Sequence, residues 1–184
     1  MLRRLPILGL LLLAACDPPP ASTGGLPDAG ESGVFIALTR DFEGFTDWTS
    51  FAIDDAAAPA AHPPGPSHVY INALPPEGAR RFPVGTIIVK TIESGPPEEW
   101  AIHAMVKRGG DYGVSGGIVG WELFELRFDE DQRPIVLWRG IGPPSGMGYA
   151  APVDGGTVEL VCSDCHNAAW MNDGVLNEHT RLRY

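Results

Sequence analysis

Apolar residues recur at intervals of about three near residue 40 and at intervals of two through the middle of the chain. In "TRDFEGFTDWTSFAID", Phe42, Phe45, Trp48 and Phe51 join Leu38 on one face and predict a short amphipathic helix. The stretch "DAAAPAAHPPGP" after it reads as a loop, because its prolines cannot continue a helix. Strands follow. "SHVYIN" (67–72) and "GTIIVKTIES" (85–94) are rich in β-branched residues. "EWAIHAMVKRG" (99–109) alternates, with Trp100, Ile102, Ala104 and Val106 on one side. "GWELFELRF" (120–128) also alternates and groups Phe124, Leu126 and Phe128, and "PIVLWRG" (134–140) is the last expected strand. "GPPE" and "GGDYGVSGG" supply turns; the second lacks the lysine and helix context of a phosphate loop and reads as a long hairpin turn. Consecutive strands with short connections predict an antiparallel sheet rather than βαβ units. "GTVELVCSDCHNAA" predicts a C-terminal helix. The fold class is therefore α+β, mainly antiparallel sheet with a helix at each end, and no internal repeat is present.

The residues before this pattern are of another kind. Arg3 and Arg4 precede an apolar run from Leu5 to Leu13, then small residues and Cys16. The run is short for a bilayer span and reads as an export signal over 1–15. "LAAC" resembles the bacterial lipoprotein box, which implies lipidation of Cys16 and a lipid-anchored protein on the periplasmic side of a membrane. Residues 16–33 contain Pro18 to Pro20 and a Gly/Ser stretch, almost nothing able to pack, and read as a tether. The folded domain is expected over 34–184.

Composition narrows the partners. The 184 residues carry a formal net charge of −10, and loss of Arg3 and Arg4 with the leader makes it −12, which argues against nucleic acid. Only Lys90 and Lys107 are lysines, so a lysine inside an apolar stretch stands out. No "GxSxG", "HExxH" or phosphate-binding loop is present.

The candidate chemistry lies in "LVCSDCHNAAW". Cys162, Cys165 and His166 form C-x-x-C-H: two thiols spaced to add to the two vinyl groups of a porphyrin, with an imidazole adjacent to ligate the iron. An export signal agrees with this, since covalent c-type haem is assembled outside the bacterial cytoplasm. Two rivals remain. A disulfide between residues three apart closes a tiny loop and stabilises little. Zinc held by Cys162, Cys165 and His179 would need His166 as fourth ligand, and adjacent Cys165 and His166 do not easily serve one tetrahedral ion.

"FPVGTIIVK" (82–90), the "GW" pair at 120–121 and the C-terminal C-x-x-C-H, in that order, resemble the cytochrome P-460 family from about residue 34 to the end. The resemblance implies a mostly antiparallel β domain, usually a homodimer, with one covalent c-type haem against the sheet and an iron open on its distal side. It implies that Lys90, at the end of "GTIIVK", is bonded to the haem ring. Thr86, Ile88 and Lys90 share one strand face, where a charged unpaired lysine is costly and a neutral amine is a nucleophile. The sequence also departs from the family. Where hydroxylamine-oxidising members carry an arginine, this chain has Ser67 and His68, and no distal carboxylate is evident; His103 lies in about that region.

The resemblance implies oxidation of hydroxylamine, or a similar small nitrogen species, to nitric or nitrous oxide. His166 would hold the iron, Lys90 would tune it, His103 or His68 would move protons, and a soluble or membrane acceptor would take the electrons. One alternative is a nitric oxide-binding protein like the c-prime-beta cytochromes, with Phe82, Phe124 and Phe128 as pocket walls. The other is an electron carrier with Met147 or Met171 as sixth ligand.

Overall fold

The computed structural model describes residues 33–53, 65–145, 147–153 and 156–183. The expected leader, Cys16, the tether and most of the Ala/Pro loop lie outside the described residues.

Six strands, β1 (Thr49–Ile53), β2 (Ser67–Ile71), β3 (Ile87–Ile92), β4 (Ala101–Lys107), β5 (Trp121–Phe128) and β6 (Pro134–Gly140), lie side by side in chain order. Every neighbouring pair is antiparallel. The five expected strands are all present, with ends that agree within two residues. A two-stranded ribbon, β7 (Tyr149–Val153) with β8 (Gly156–Leu160), follows, and α1 (Cys162–His166) comes directly after it.

Side chains alternate between two faces of the sheet, and each face is covered by one end of the chain. On one face Phe42, Phe45, Tyr70, Val89, Ala104, Phe124 and Leu126 form a core with Phe35 and Ala37 from the N-terminal segment. The Phe42 and Phe124 rings meet edge-on at 5.1 Å, and the Phe45 and Phe128 rings stack at 5.6 Å. A buried carboxylate fastens this layer. Glu122 accepts two bonds from Arg139 (2.8 and 2.7 Å) and one from Arg108 (3.0 Å), while Arg139 also donates to the Ala37 carbonyl (2.7 Å). On the other face Val69, Ile71, Ile88, Met105, Trp121, Leu123 and Trp138 pack with Val175 and Leu182 from the C-terminal segment. Cys162 packs against this second cluster, so α1 belongs to that side.

Two expected elements differ from what is found. The N-terminal amphipathic helix is absent; two 3-10 turns, Thr39–Phe42 and Phe45–Asp47, lead instead into β1. Spacing by three is the period of a 3-10 helix, which suits Phe42, Phe45 and Trp48. Gly44, at φ 66°, breaks the run between the two turns. Phe51 does not share their face, because it lies on β1 and packs with the second cluster. The C-terminal helix is also shorter than expected. Gly156–Leu160 is a strand, Val161 is still extended (φ −104°, ψ 157°), and the helix begins only at Cys162. Beyond His166 the backbone tightens to 3-10 geometry over Asn167–Asn172.

Truncating Phe42, which is fully buried, is expected to cost about 3–5 kcal/mol. Ile36→Ala, at a side chain 52% exposed, is expected to cost under about 0.5 kcal/mol. Urea unfolding of both variants checks the difference, and equal losses would contradict this packing of the N-terminal layer.

Candidate functional site

The register of the sheet sets up one row of residues across all six strands. Phe51 pairs with Val69, Val69 with Lys90, Lys90 with His103, His103 with Glu125, and Glu125 with Trp138. Directly opposed residues put their side chains on the same face, about 5 Å apart at Cβ. A bulge after Glu125 leaves Leu137 without a partner and keeps Trp138 opposite Glu125. The row is therefore apolar at its ends and carries Lys90, His103 and Glu125 in the middle. The flanking row on the same face is Ile71, Ile88, Met105 and Leu123. Glu125 accepts a hydrogen bond from Trp138 Nε1.

The C-x-x-C-H turn sits on this side of the sheet. Cys162 and Cys165 are free thiols one helical turn apart, each half-buried. The Asp164 carboxylate reaches back to accept the Val161 N–H at 2.9 Å and fixes the start of the turn. Burial pushes the Cys162 thiol up to about 11, and the negative charges of Cys165, Glu125 and Asp164 add to the effect; a backbone hydrogen bond opposes it. Glu125 is thus near enough to Cys162 to be felt electrostatically.

His166 keeps part of its surface open, yet its ring is densely surrounded. Nδ1 lies 2.7 Å from the Gly174 carbonyl. A carbonyl only accepts, so Nδ1 carries the proton and Nε2 carries a lone pair. Burial holds the imidazole below its ordinary value; the Gly174 bond opposes this, and the Lys90 charge adds to it. A neutral ring with a free Nε2 and a carbonyl behind Nδ1 is the state a metal-binding histidine needs. Two thiols, a neutral imidazole and a helix docked on a sheet face are a donor set that fits covalent c-type haem. Cys162 and Cys165 would hold the ring and His166 the iron. For the zinc rival, His179 instead stacks on Phe51 at the edge strand, ring centroids 5.2 Å apart. Among the described residues no group of three or more His, Cys, Asp or Glu is arranged to hold a metal ion.

The other sequence candidates divide between the faces. Lys90 and His103 are brought together, opposed on neighbouring strands on the face that Cys162 packs against. His68 is not; it pairs with Thr91, one residue out of phase with Lys90, and so points to the opposite face. There its Nδ1 donates to Glu93 at 2.9 Å, and Glu93 also takes the Thr91 hydroxyl at 2.7 Å. Phe124 and Phe128 likewise belong to the N-terminal layer, so they do not wall a pocket beside His166. Phe82 is on the correct side but is packed edge-on against Trp121. Met147 and Met171 are both exposed.

Sequence reasoning missed Glu125, a carboxylate opposed to His103 on the next strand. Its signal was present, since Trp121, Leu123 and Glu125 alternate with the Phe124 set and so share the face of Lys90. It also missed Asp173 and Gly174, which sit in "NDG", a turn signal.

No family model, curated protein or solved structure matches the chain.

Before haem attachment, iodoacetamide is expected to alkylate Cys162 in the folded chain roughly tenfold or more slowly at pH 8 than in the unfolded chain. The folded rate should climb towards pH 11, following the raised thiol. Peptide mass mapping reads the two rates, and equal reactivity at pH 8 would refute the docked position of α1.

Proposed function

We propose that this chain is an exported c-type haem protein, anchored at Cys16, that oxidises hydroxylamine or a similar small nitrogen species. The observation that carries the reading is the juxtaposition of the C-x-x-C-H turn with the Lys90–His103–Glu125 row on one sheet face. A bound haem would supply a redox-active iron for oxidation of the substrate nitrogen, with an external one-electron acceptor as the electron sink. The chain supplies the rest. Cys162 and Cys165 would hold the ring, and His166, whose Nδ1 donates to the Gly174 carbonyl, would offer Nε2 to the iron. Conversion of hydroxylamine to nitric oxide releases three protons with three electrons, so the site needs groups that accept protons. His103 and Glu125, opposed on neighbouring strands, are two such groups among the described residues of that face, and an imidazole works near neutral pH. Lys90 lies beside them, and a bond from its amine to a porphyrin carbon, formed as one N–H and one C–H are lost with two protons and two electrons passing to an external oxidant, would alter the iron's electronics. The family resemblance adds the homodimer to this proposal, and the export signal with the lipoprotein-like box at Cys16 adds the periplasmic location.

Expression with a c-type maturation system tests it. The wild-type chain should carry covalent haem on a denaturing gel, and Cys162→Ala/Cys165→Ala should lose it. His103→Gln should lower kcat for hydroxylamine-driven reduction of an acceptor by roughly 10²-fold, with haem content unchanged. A Soret band displaced far to the red, with a modified Lys90 peptide in the mass spectrum, supports the crosslinked chromophore. Ferrous protein that binds nitric oxide but leaves hydroxylamine untouched would replace this reading with the gas-binding one. A low-spin ferric spectrum indifferent to added ligands would point to the electron carrier.

A further inference from the structure

We propose that Asp173, held by Lys107, is a positioning residue that sets how strongly His166 donates to the iron; the inference rests on the haem reading of the C-x-x-C-H turn. His166 Nδ1 donates to the Gly174 carbonyl, eight residues further along the chain. That carbonyl is aimed by two successive residues with positive φ, Asp173 (φ 54°, ψ 33°) and Gly174 (φ 83°). Glycine is required at the second, because a Cβ there would lie 2.5 Å from Ile118 Cγ2. A non-glycine residue in the left-handed region, as at the first, persists when its surroundings over-determine it.

At Asp173 they do. Its N–H donates to the Trp170 carbonyl at 3.2 Å, and its own carbonyl accepts from Trp121 Nε1 at 2.7 Å. Its carboxylate accepts from Lys107 Nζ at 2.9 Å (Oδ1) and 2.8 Å (Oδ2), and from the Phe82 N–H at 2.9 Å. Each polar atom is therefore bonded. Lys107 and Trp121 are on the sheet and Phe82 is in the approach to β3, so the sheet itself grips the turn. Lys107 is 4% exposed, and its other contacts are the Val119 carbonyl at 3.3 Å and the face of Trp121 at 4.9 Å. The strength of the Nδ1–H bond governs the electron density on the imidazole, and hence how well Nε2 donates to a metal. A loosened Asp173 turn lets the Gly174 carbonyl drift and weakens that donation.

The test uses the haem-loaded full-length protein, comparing Asp173→Asn, Lys107→Met and Trp121→Phe with wild type. Resonance Raman of the ferrous form reads the iron–imidazole stretch, and a redox titration reads the midpoint potential. Each variant is expected to shift the stretch to lower frequency and the potential upwards, because a weaker donor stabilises the ferric iron less. Lys107→Arg, which keeps the charge, should restore both. Where Asp173→Asn does not fold, Trp121→Phe decides, since it removes one neutral bond and leaves the ion pair. A clamp with only a structural role would lower the melting temperature and leave stretch and potential alone. Haem-loaded variants with wild-type values of both overturn this inference by itself, whereas a wild-type chain that takes no covalent haem overturns the underlying reading and this inference with it.

Discussion

The contact between Lys107 and Asp173 is the constraint on which the C-terminal part of the molecule depends. It is a buried ion pair, and such pairs are weak sources of net stability, because desolvation offsets most of the Coulomb gain. Burial lowers the Lys107 pKa, while the Asp173 hydrogen bond and charge push it back up. What the pair does provide is geometry. Holding a non-glycine residue left-handed costs about 1–2 kcal/mol, whereas leaving one member of a buried pair without its partner costs about 3–5 kcal/mol. Breaking the pair costs more than the backbone strain it maintains, so the turn stays closed and the Gly174 carbonyl stays behind His166. The same turn brings Val175 and Leu182 down onto the sheet. Position of the imidazole and closure of the second core are thus one event.

The sheet acts on the chemistry through its period of two. A shift of one residue along β2 or β3 would exchange the faces, turning Lys90 towards the N-terminal aromatic layer and Thr91 towards α1. Register is protected because both faces are buried, one by Phe42 and Phe45, the other by Val175 and Leu182. Glu122 adds a second lock. Its buried carboxylate is satisfied only when Arg108 and Arg139 stand on the same face and the 34–38 segment lies over them. Separation of His68 from Lys90 is a consequence of this arithmetic.

How much of this was legible in the sequence depended on whether the signal was local. The five strands from 67 to 140 showed because alternation and β-branching act within a few residues. The spacing of Phe42, Phe45 and Trp48 was read correctly as one face and incorrectly as an α-helix; three-residue intervals suit 3-10 turns better, and Gly44 marks the break. β1 was hidden because Phe51 continued the same count. β7 and β8 were missed because "GTVEL" runs into the cysteine motif without a turn residue between them. Of the site, the thiols and imidazole were legible as a motif. Glu125 needed the register of β4 on β5, and the role of Asp173 needed contacts across 66 residues to Lys107 and 91 to Phe82. Pairings that distant leave no periodic trace.

The polar row under α1 is hard to explain as packing. Its neighbours on that face are Val69, Ile71, Ile88, Met105 and Leu123, and an apolar residue at 90, 103 or 125 would bury more readily than a lysine, a histidine or a glutamate. On the opposite face the same strands place Val89, Ala104, Phe124 and Leu126, and the polar groups there are paired with one another, Glu122 with Arg108 and Arg139 and His68 with Glu93. Glu125 is compensated in part by the Trp138 indole, and Trp138 stays opposite it because of the bulge at Leu137. A local irregularity in β6 therefore serves a polar group rather than the core. Rule-breaking of this sort concentrates at functional sites, where stability is given up for chemistry. The row thus shares one side of the sheet with the turn that carries two thiols and an oriented imidazole.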